Sequence, residues 1–132
     1  MEPGLVGETK IVVSQEHTAE ASNVEGMAPV LATPRLISFL ERTAHLAVFP
    51  YLAEGQSTVG ILVNVRHLAA TPVGMEVRFR AELVEVDRRR LRFKVEAWDE
   101  VEKIAEGEHE RFIIDWQRFL DGIAKKRQKI KP

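Results

Sequence analysis

From Thr58 to Ile114 the sequence holds four runs in which apolar and polar residues alternate, joined by connections of only a few residues. Parallel strands need a crossover of a dozen residues or more, so runs this closely spaced favour antiparallel pairing. Upstream lies one strongly apolar segment of helical period, and no second helix of that character is available to cover a sheet. One antiparallel sheet wrapped around one long apolar helix is the economical way to bury both, which predicts an α+β fold occupying residues 1–132 as a single domain.

The helix is expected from Thr33 to Val48 or Phe49. Thr33 supplies a hydroxyl at the N-cap, Pro34 suits the first helical position, and Pro50 ends the run. At 100° per residue, Arg35, Ser38, Glu41, Arg42 and His45 fall in one polar arc. Leu36, Ile37, Phe39, Leu40, Ala44, Leu46, Ala47 and Val48 fill the rest, so protein should wrap the helix on most sides. Glu41 sits at the edge of the arc and should be partly shielded.

The first strand after the helix, Thr58 to Leu68, carries Val59, Ile61, Val63 and Val65 on one face, with His67 ending that same face. From Glu76 to Val86, Val77, Phe79, Ala81 and Leu83 point inward while Arg78, Arg80 and Glu82 point out. Asp87 to Arg89 form a turn. Leu91, Phe93, Val95 and Ala97 then alternate with Arg90, Arg92, Lys94 and Glu96. A last strand covers Lys103 to Ile114, and Trp116 to Lys126 reads as a short helix with a basic, solvated end. Before the central helix, Thr9 to Ser14 is a β-branched run suited to a strand. Glu16 to Met27 is small, polar and aperiodic, a surface connection or else a flap over a site.

A formal net charge of -1 gives no electrostatic reason to expect nucleic acid or membrane as a partner. With no cysteine, thiol nucleophiles, disulfides and thiolate metal sites are excluded. The opening MEPGLVGETK has neither the basic segment nor the apolar core of a signal peptide, and a soluble cytoplasmic protein is expected. His17, His45, His67 and His109 lack metal-ligand spacing, and no glycine pattern cradles a phosphate. No metal or cofactor is therefore implied. Arg88 to Arg90 read as a solvated hairpin tip, with phosphate contact as the alternative.

Three residues stand out chemically. A carboxylate in a partly apolar place, such as Glu41, can take a proton from water. His67 on an apolar face can give or take one near neutrality. Thr33 sets a hydroxyl beside helix N–H groups that favour developing negative charge. Residue type alone leaves the structural alternative standing, with an N-cap, a polar-edge carboxylate and a strand-end histidine.

The arrangement of motifs weighs against that alternative. The helix with Thr33 and Glu41, the segment Gly60 to His67, the HxxATPxG element (His67, Ala70, Thr71, Pro72, Gly74) and the GxHER element (Gly107, His109, Glu110, Arg111) keep a characteristic relative spacing. Over Ala32 to Ile114 the chain resembles the hotdog-fold acyl-CoA thioesterases, in particular the fluoroacetyl-CoA thioesterase-like branch. The resemblance implies a central helix inside a curved sheet, and hydrolysis of acyl-CoA by a homodimer (or a dimer of dimers) with active sites at the subunit interface. It implies catalytic roles for Thr33, Glu41 and His67. Gly60 would bring its backbone to the acyl group, and Arg111 would lie near the site. Asn23 to Val30, where the fluoroacetyl-specific enzyme carries a phenylalanine lid, has no aromatic residue here. A general short or medium acyl-CoA is therefore the expected substrate. Water attack and an acyl-enzyme route both remain open at this stage. A hotdog hydratase or dehydratase would want an Asp/His loop pattern that is absent. A non-catalytic acyl-CoA-binding module would have no need of Glu41 and His67.

Overall fold

The computed structural model describes residues 1–130 of the 132-residue chain. Five strands, β1 (Val6–Val12), β2 (Gln56–His67), β3 (Glu76–Asp87), β4 (Arg90–Trp98) and β5 (Lys103–Asp115), form one antiparallel sheet in the order β1-β3-β4-β5-β2. The long helix α1 (Thr33–Val48) lies in the sheet's concave face, and α2 (Trp116–Gln128) follows β5. The first strand thus begins three residues earlier than Thr9 and stops short of Ser14. The polar stretch after it contains two short 3-10 turns, Gln15–His17 and Glu20–Ser22.

The alternation in β3 and β4 plays out as read: Val77, Phe79, Ala81, Leu83, Leu91, Phe93, Val95 and Ala97 are all buried against Leu36, Leu40, Ala44 and Val48 of α1. Around Arg88, whose φ is +58°, the β3–β4 turn carries arginines into a surface ion-pair lattice. Arg90 meets Glu85 at 2.9 Å and Glu110 at 3.1 Å.

Two expectations change. Protein does not wrap α1 on most sides: it packs chiefly over β1 and β3, leaving Leu46 46% exposed. Close approach on that side needs Gly7, where an added Cβ would lie 2.6 Å from the Thr43 carbonyl oxygen. The β2 side of the concave face is consequently left uncovered, and Ile61, Leu62 and Val63 remain exposed.

The second change is in β2 itself. Its register against β5 shifts between Gly60 and Leu62, so Ile61 is an extra residue in a bulge. Cross-strand partners share a face. Val63 and His67 lie opposite His109 and Ala105 and face inward, whereas Val59 lies opposite Phe112 on the outer face. Thr58 and Gly60, opposite Ile113 and Arg111, take the inward positions instead. Simple period-2 counting from Val59 to His67 cannot see an inserted residue, and the single apolar face it gave does not exist.

Candidate active site

Loop ties bring the start of α1 to the end of β2. Leu31 N–H donates to the Thr71 carbonyl at 2.9 Å, and Val30 bridges Pro72. Thr71, fully buried, donates its hydroxyl to Asp99 at 2.8 Å. Burial alone would raise the proton affinity of Asp99, but the Val101 and Glu102 N–H groups and the Thr71 hydroxyl hold it below the usual value. The HxxATPxG element is therefore a clamp. It fixes the loop after His67 against the segment leading into α1.

Within that clamp Thr33 Oγ1 and His67 Nδ1 share a hydrogen bond of 2.8 Å. Thr33 does not cap the helix: Ala32 is the N-cap and Thr33 the first helical residue, so the hydroxyl is free to meet the imidazole. Leu36 N–H makes the first helical bond, to the Ala32 carbonyl, and Pro34 has no N–H. The N–H groups of Thr33 and Arg35 are thus the first free donors at the positive end of α1. Burial lowers the proton affinity of His67, partly opposed by the Ala69 backbone, and favours the neutral ring. Its Nε2 is buried without a hydrogen-bond partner among the described residues. The adjoining cleft, about 380 Å³, is walled by small aliphatic residues including Val30, Ala32 and Ala70.

Glu41 lies elsewhere. Eight residues along α1 from Thr33, it stands roughly 12 Å further down the axis. Its carboxylate is 38% exposed and sits 3.6 Å from Arg111 Nη1, in a second cleft of about 380 Å³ that also takes in Ser38, His45 and Thr58. Gly60 is part of this arrangement, because a Cβ there would fall 2.7 Å from Glu41 Oε2. Within one protomer, then, the structure joins Thr33 with His67 and Glu41 with Gly60 and Arg111, but does not join the two groups. A cleft of about 760 Å³ near Arg66 and Lys103 touches none of these residues.

Sequence reading missed the polar layer under Glu41. Arg111 is 8% exposed and donates from Nε to the Thr58 hydroxyl at 2.8 Å and from Nη2 to the Thr58 carbonyl at 3.1 Å. The Thr58 hydroxyl also shares a hydrogen bond of 2.6 Å with His45 Nδ1. Burial, then the Arg111 charge, keep His45 below its usual proton affinity. Only the inward position of Thr58 could have pointed to this layer, and the bulge hid that position.

A curved antiparallel sheet holding one long helix, with a hydroxyl–imidazole pair at the helix start and a glutamate two turns on, defines a hotdog-fold protein of the thioesterase type. Residues 13–117 match the model of a family described as fluoroacetyl-CoA-specific thioesterase. A fluoroacetyl-CoA thioesterase from Streptantibioticus cattleyicolor is 41% identical over 100 residues, 76% of this chain and 70% of the relative. The solved structure of the fluoroacetyl-CoA thioesterase FlK superposes with a TM-score of 0.89 at 34% identity, covering 99% of this chain and 98% of that one. A thioesterase-superfamily protein from Thermus thermophilus also superposes with a TM-score of 0.89, at 26% identity over 97% and 94% of the two chains. The chain belongs to the fluoroacetyl-CoA-specific thioesterase family.

Proposed function

We propose that this protein hydrolyses short acyl-CoA thioesters to the free acid and CoA, in a site that two copies of the chain complete together. The observation that carries this reading is the 2.8 Å Thr33–His67 bond at the N-terminus of α1. Free N–H donors await a developing oxyanion there. Family membership and a related FlK structure solved with acetyl-CoA support the substrate class. The aliphatic cleft beside Thr33 suits a small saturated acyl group. Asn23 to Val30 lack the bulk to close over a fluoroacetyl group selectively, so plain short acyl chains are the substrates expected.

The second copy follows from what β2 leaves open. An antiparallel pairing of two β2 edges centred on the exposed run 60–64 covers Ile61, Leu62 and Val63. By two-fold symmetry it sets His67 of one copy opposite residues 57–59 of the other, beside that copy's Gly60 and Glu41. The two half-sites become one. Glu41 takes a proton from the attacking water, the carbonyl oxygen gathers charge near Thr33, and the C–S bond breaks as the tetrahedral intermediate collapses. The CoA thiolate leaves with a proton relayed through His67. A second reading makes Thr33 the acyl acceptor. Its hydroxyl lies 2.8 Å from a neutral imidazole, which is also the geometry of an activated nucleophile.

The test is thiol release from a panel of acyl-CoAs. Wild type should turn over acetyl-CoA and its near homologues, and Glu41→Gln should lose roughly 10²–10⁴-fold in kcat. Binding of acyl-CoA without thiol release above background would overturn the hydrolase reading. Intact-mass detection of acylated Thr33 would select the second route.

A further inference from the structure

The GxHER element places His109 two residues before Arg111, so both side chains leave β5 on the inner face. His109 is 1% exposed and stacks near Phe93, with ring centroids 6.2 Å apart. Its two nitrogens have opposite partners. Nδ1 lies 2.7 Å from the Leu62 carbonyl oxygen, and Nε2 lies 3.2 Å from Arg111 Nη1. The carbonyl can only accept and the guanidinium can only donate. One state satisfies both: a neutral ring with its proton on Nδ1. A protonated ring would turn an N–H toward a guanidinium.

The consequence falls on Glu41. Arg111 Nη1 has two acceptors within reach, His109 Nε2 at 3.2 Å and Glu41 Oε2 at 3.6 Å. It donates to the imidazole at hydrogen-bond distance and holds the carboxylate in a longer ion pair. Without that imidazole Nη1 would lose its nearer acceptor and would close on Glu41, tying up the lone pair a base needs. The other end of the ring holds Leu62, the residue just past the Ile61 bulge, and so holds the backbone that keeps Gly60 against the carboxylate. We propose that His109 is a positioning residue: it links the bulged β2 backbone to Arg111 and diverts the guanidinium from Glu41, leaving that carboxylate placed and free to act. This rests on the hydrolase reading above.

Three substitutions separate the two functions of the ring. His109→Phe keeps its volume and removes both nitrogens. His109→Gln restores an oxygen near the place of Nε2, and His109→Asn restores an N–H near the place of Nδ1. We expect His109→Phe to melt cooperatively and to keep KM within about twofold while kcat falls about 10²-fold, the cost of an ångström-scale misplacement. His109→Gln should recover at least about tenfold of that loss and His109→Asn much less, because the diverting acceptor is the larger effect. Wild-type kcat in His109→Phe, or a loss confined to KM, would overturn the proposal. So would equal kcat in the Gln and Asn variants, a comparison that also decides the matter should His109→Phe fail to fold.

NMR of the same proteins separates this proposal from the hydrolase reading. If wild type releases no thiol, the hydrolase reading falls. The positioning network is then decided by the wild-type ring ¹⁵N shifts and by exchange of the Arg111 Nη1 protons. A neutral Nδ1–H ring in wild type, with slowly exchanging Nη1 protons that stay slow in His109→Gln and turn fast in His109→Asn, supports the network. The Nε2–H tautomer or fast exchange in wild type overturns it.

Discussion

Replacing Gly60 by alanine is the sharpest perturbation the structure offers, because it should move activity and stability in opposite directions. The new Cβ would lie 2.7 Å from Glu41 Oε2 and 3.3 Å from both Arg111 Nη1 and His109 Cε1. Ordinary contact requires about 3.4 Å or more, so the carboxylate must retreat by roughly 0.7 Å. It can do so cheaply, being the far end of a flexible side chain. Alanine also costs less than glycine within a strand, by roughly 0.5–1 kcal/mol. The melting temperature should therefore hold or rise by a few degrees. Activity has no such escape, since misplacement on an ångström scale costs on the order of 10²-fold. The assay is steady-state thiol release from acetyl-CoA beside a thermal melt of the same preparation. Gly7→Ala is the control. Its Cβ would meet the Thr43 main-chain oxygen at 2.6 Å and Ala47 Cβ at 2.9 Å, neither of which can swing aside, so that variant should lose stability without a direct effect on the site. Full activity in Gly60→Ala at unchanged melting temperature would refute the argument that the place of the Glu41 carboxylate against β2 governs the reaction.

Thr33→Ala should cost less than about 0.5 kcal/mol in a denaturant melt, since Thr33 is not the N-cap, yet lower kcat by about 10²-fold or more. Inactive Thr33→Ala and Glu41→Gln chains, co-expressed and purified as mixed dimers, should regain part of the wild-type activity, because one of the two composite sites then contains no substitution; no recovery would refute the shared site. Stability should fall as pH drops below 6.5, the usual imidazole value, because burial lowers the folded proton affinity of His45, His67 and His109. In that window the unfolded chain binds more protons than the native one, so unfolding free energy rises with pH and falls with acid. Urea melts from pH 7.5 to 5 check the slope, which His109→Phe should flatten. Glu85 and Glu106, held below the usual carboxylate value of 4.5 first by hydrogen bonds from Arg92 and Lys103, add a separate loss only at lower pH.

Elements whose signals are local were legible in the chain alone. Alternation in β3 and β4 and the apolar period of α1 are each written within a dozen or so neighbouring residues. Short connections forced antiparallel pairing of β3, β4 and β5, and with a single helix to enclose this left little choice of architecture. The motif spacing also placed Thr33, Glu41 and His67 in one family pattern. Contacts across many residues, and a change of register, emerge only in three dimensions. Thr33 meets His67 because Leu31 and Thr71, far apart in the chain, share a backbone bond that no local propensity encodes. Glu41 stands apart from that pair because a helix spreads eight residues over roughly 12 Å. The bulge at Ile61 reversed the faces of β2, turning Thr58 and Gly60 inward and giving Arg111 and His109 their partners. An inserted residue is invisible to a period of two, and its effects reach every side chain on one side of it.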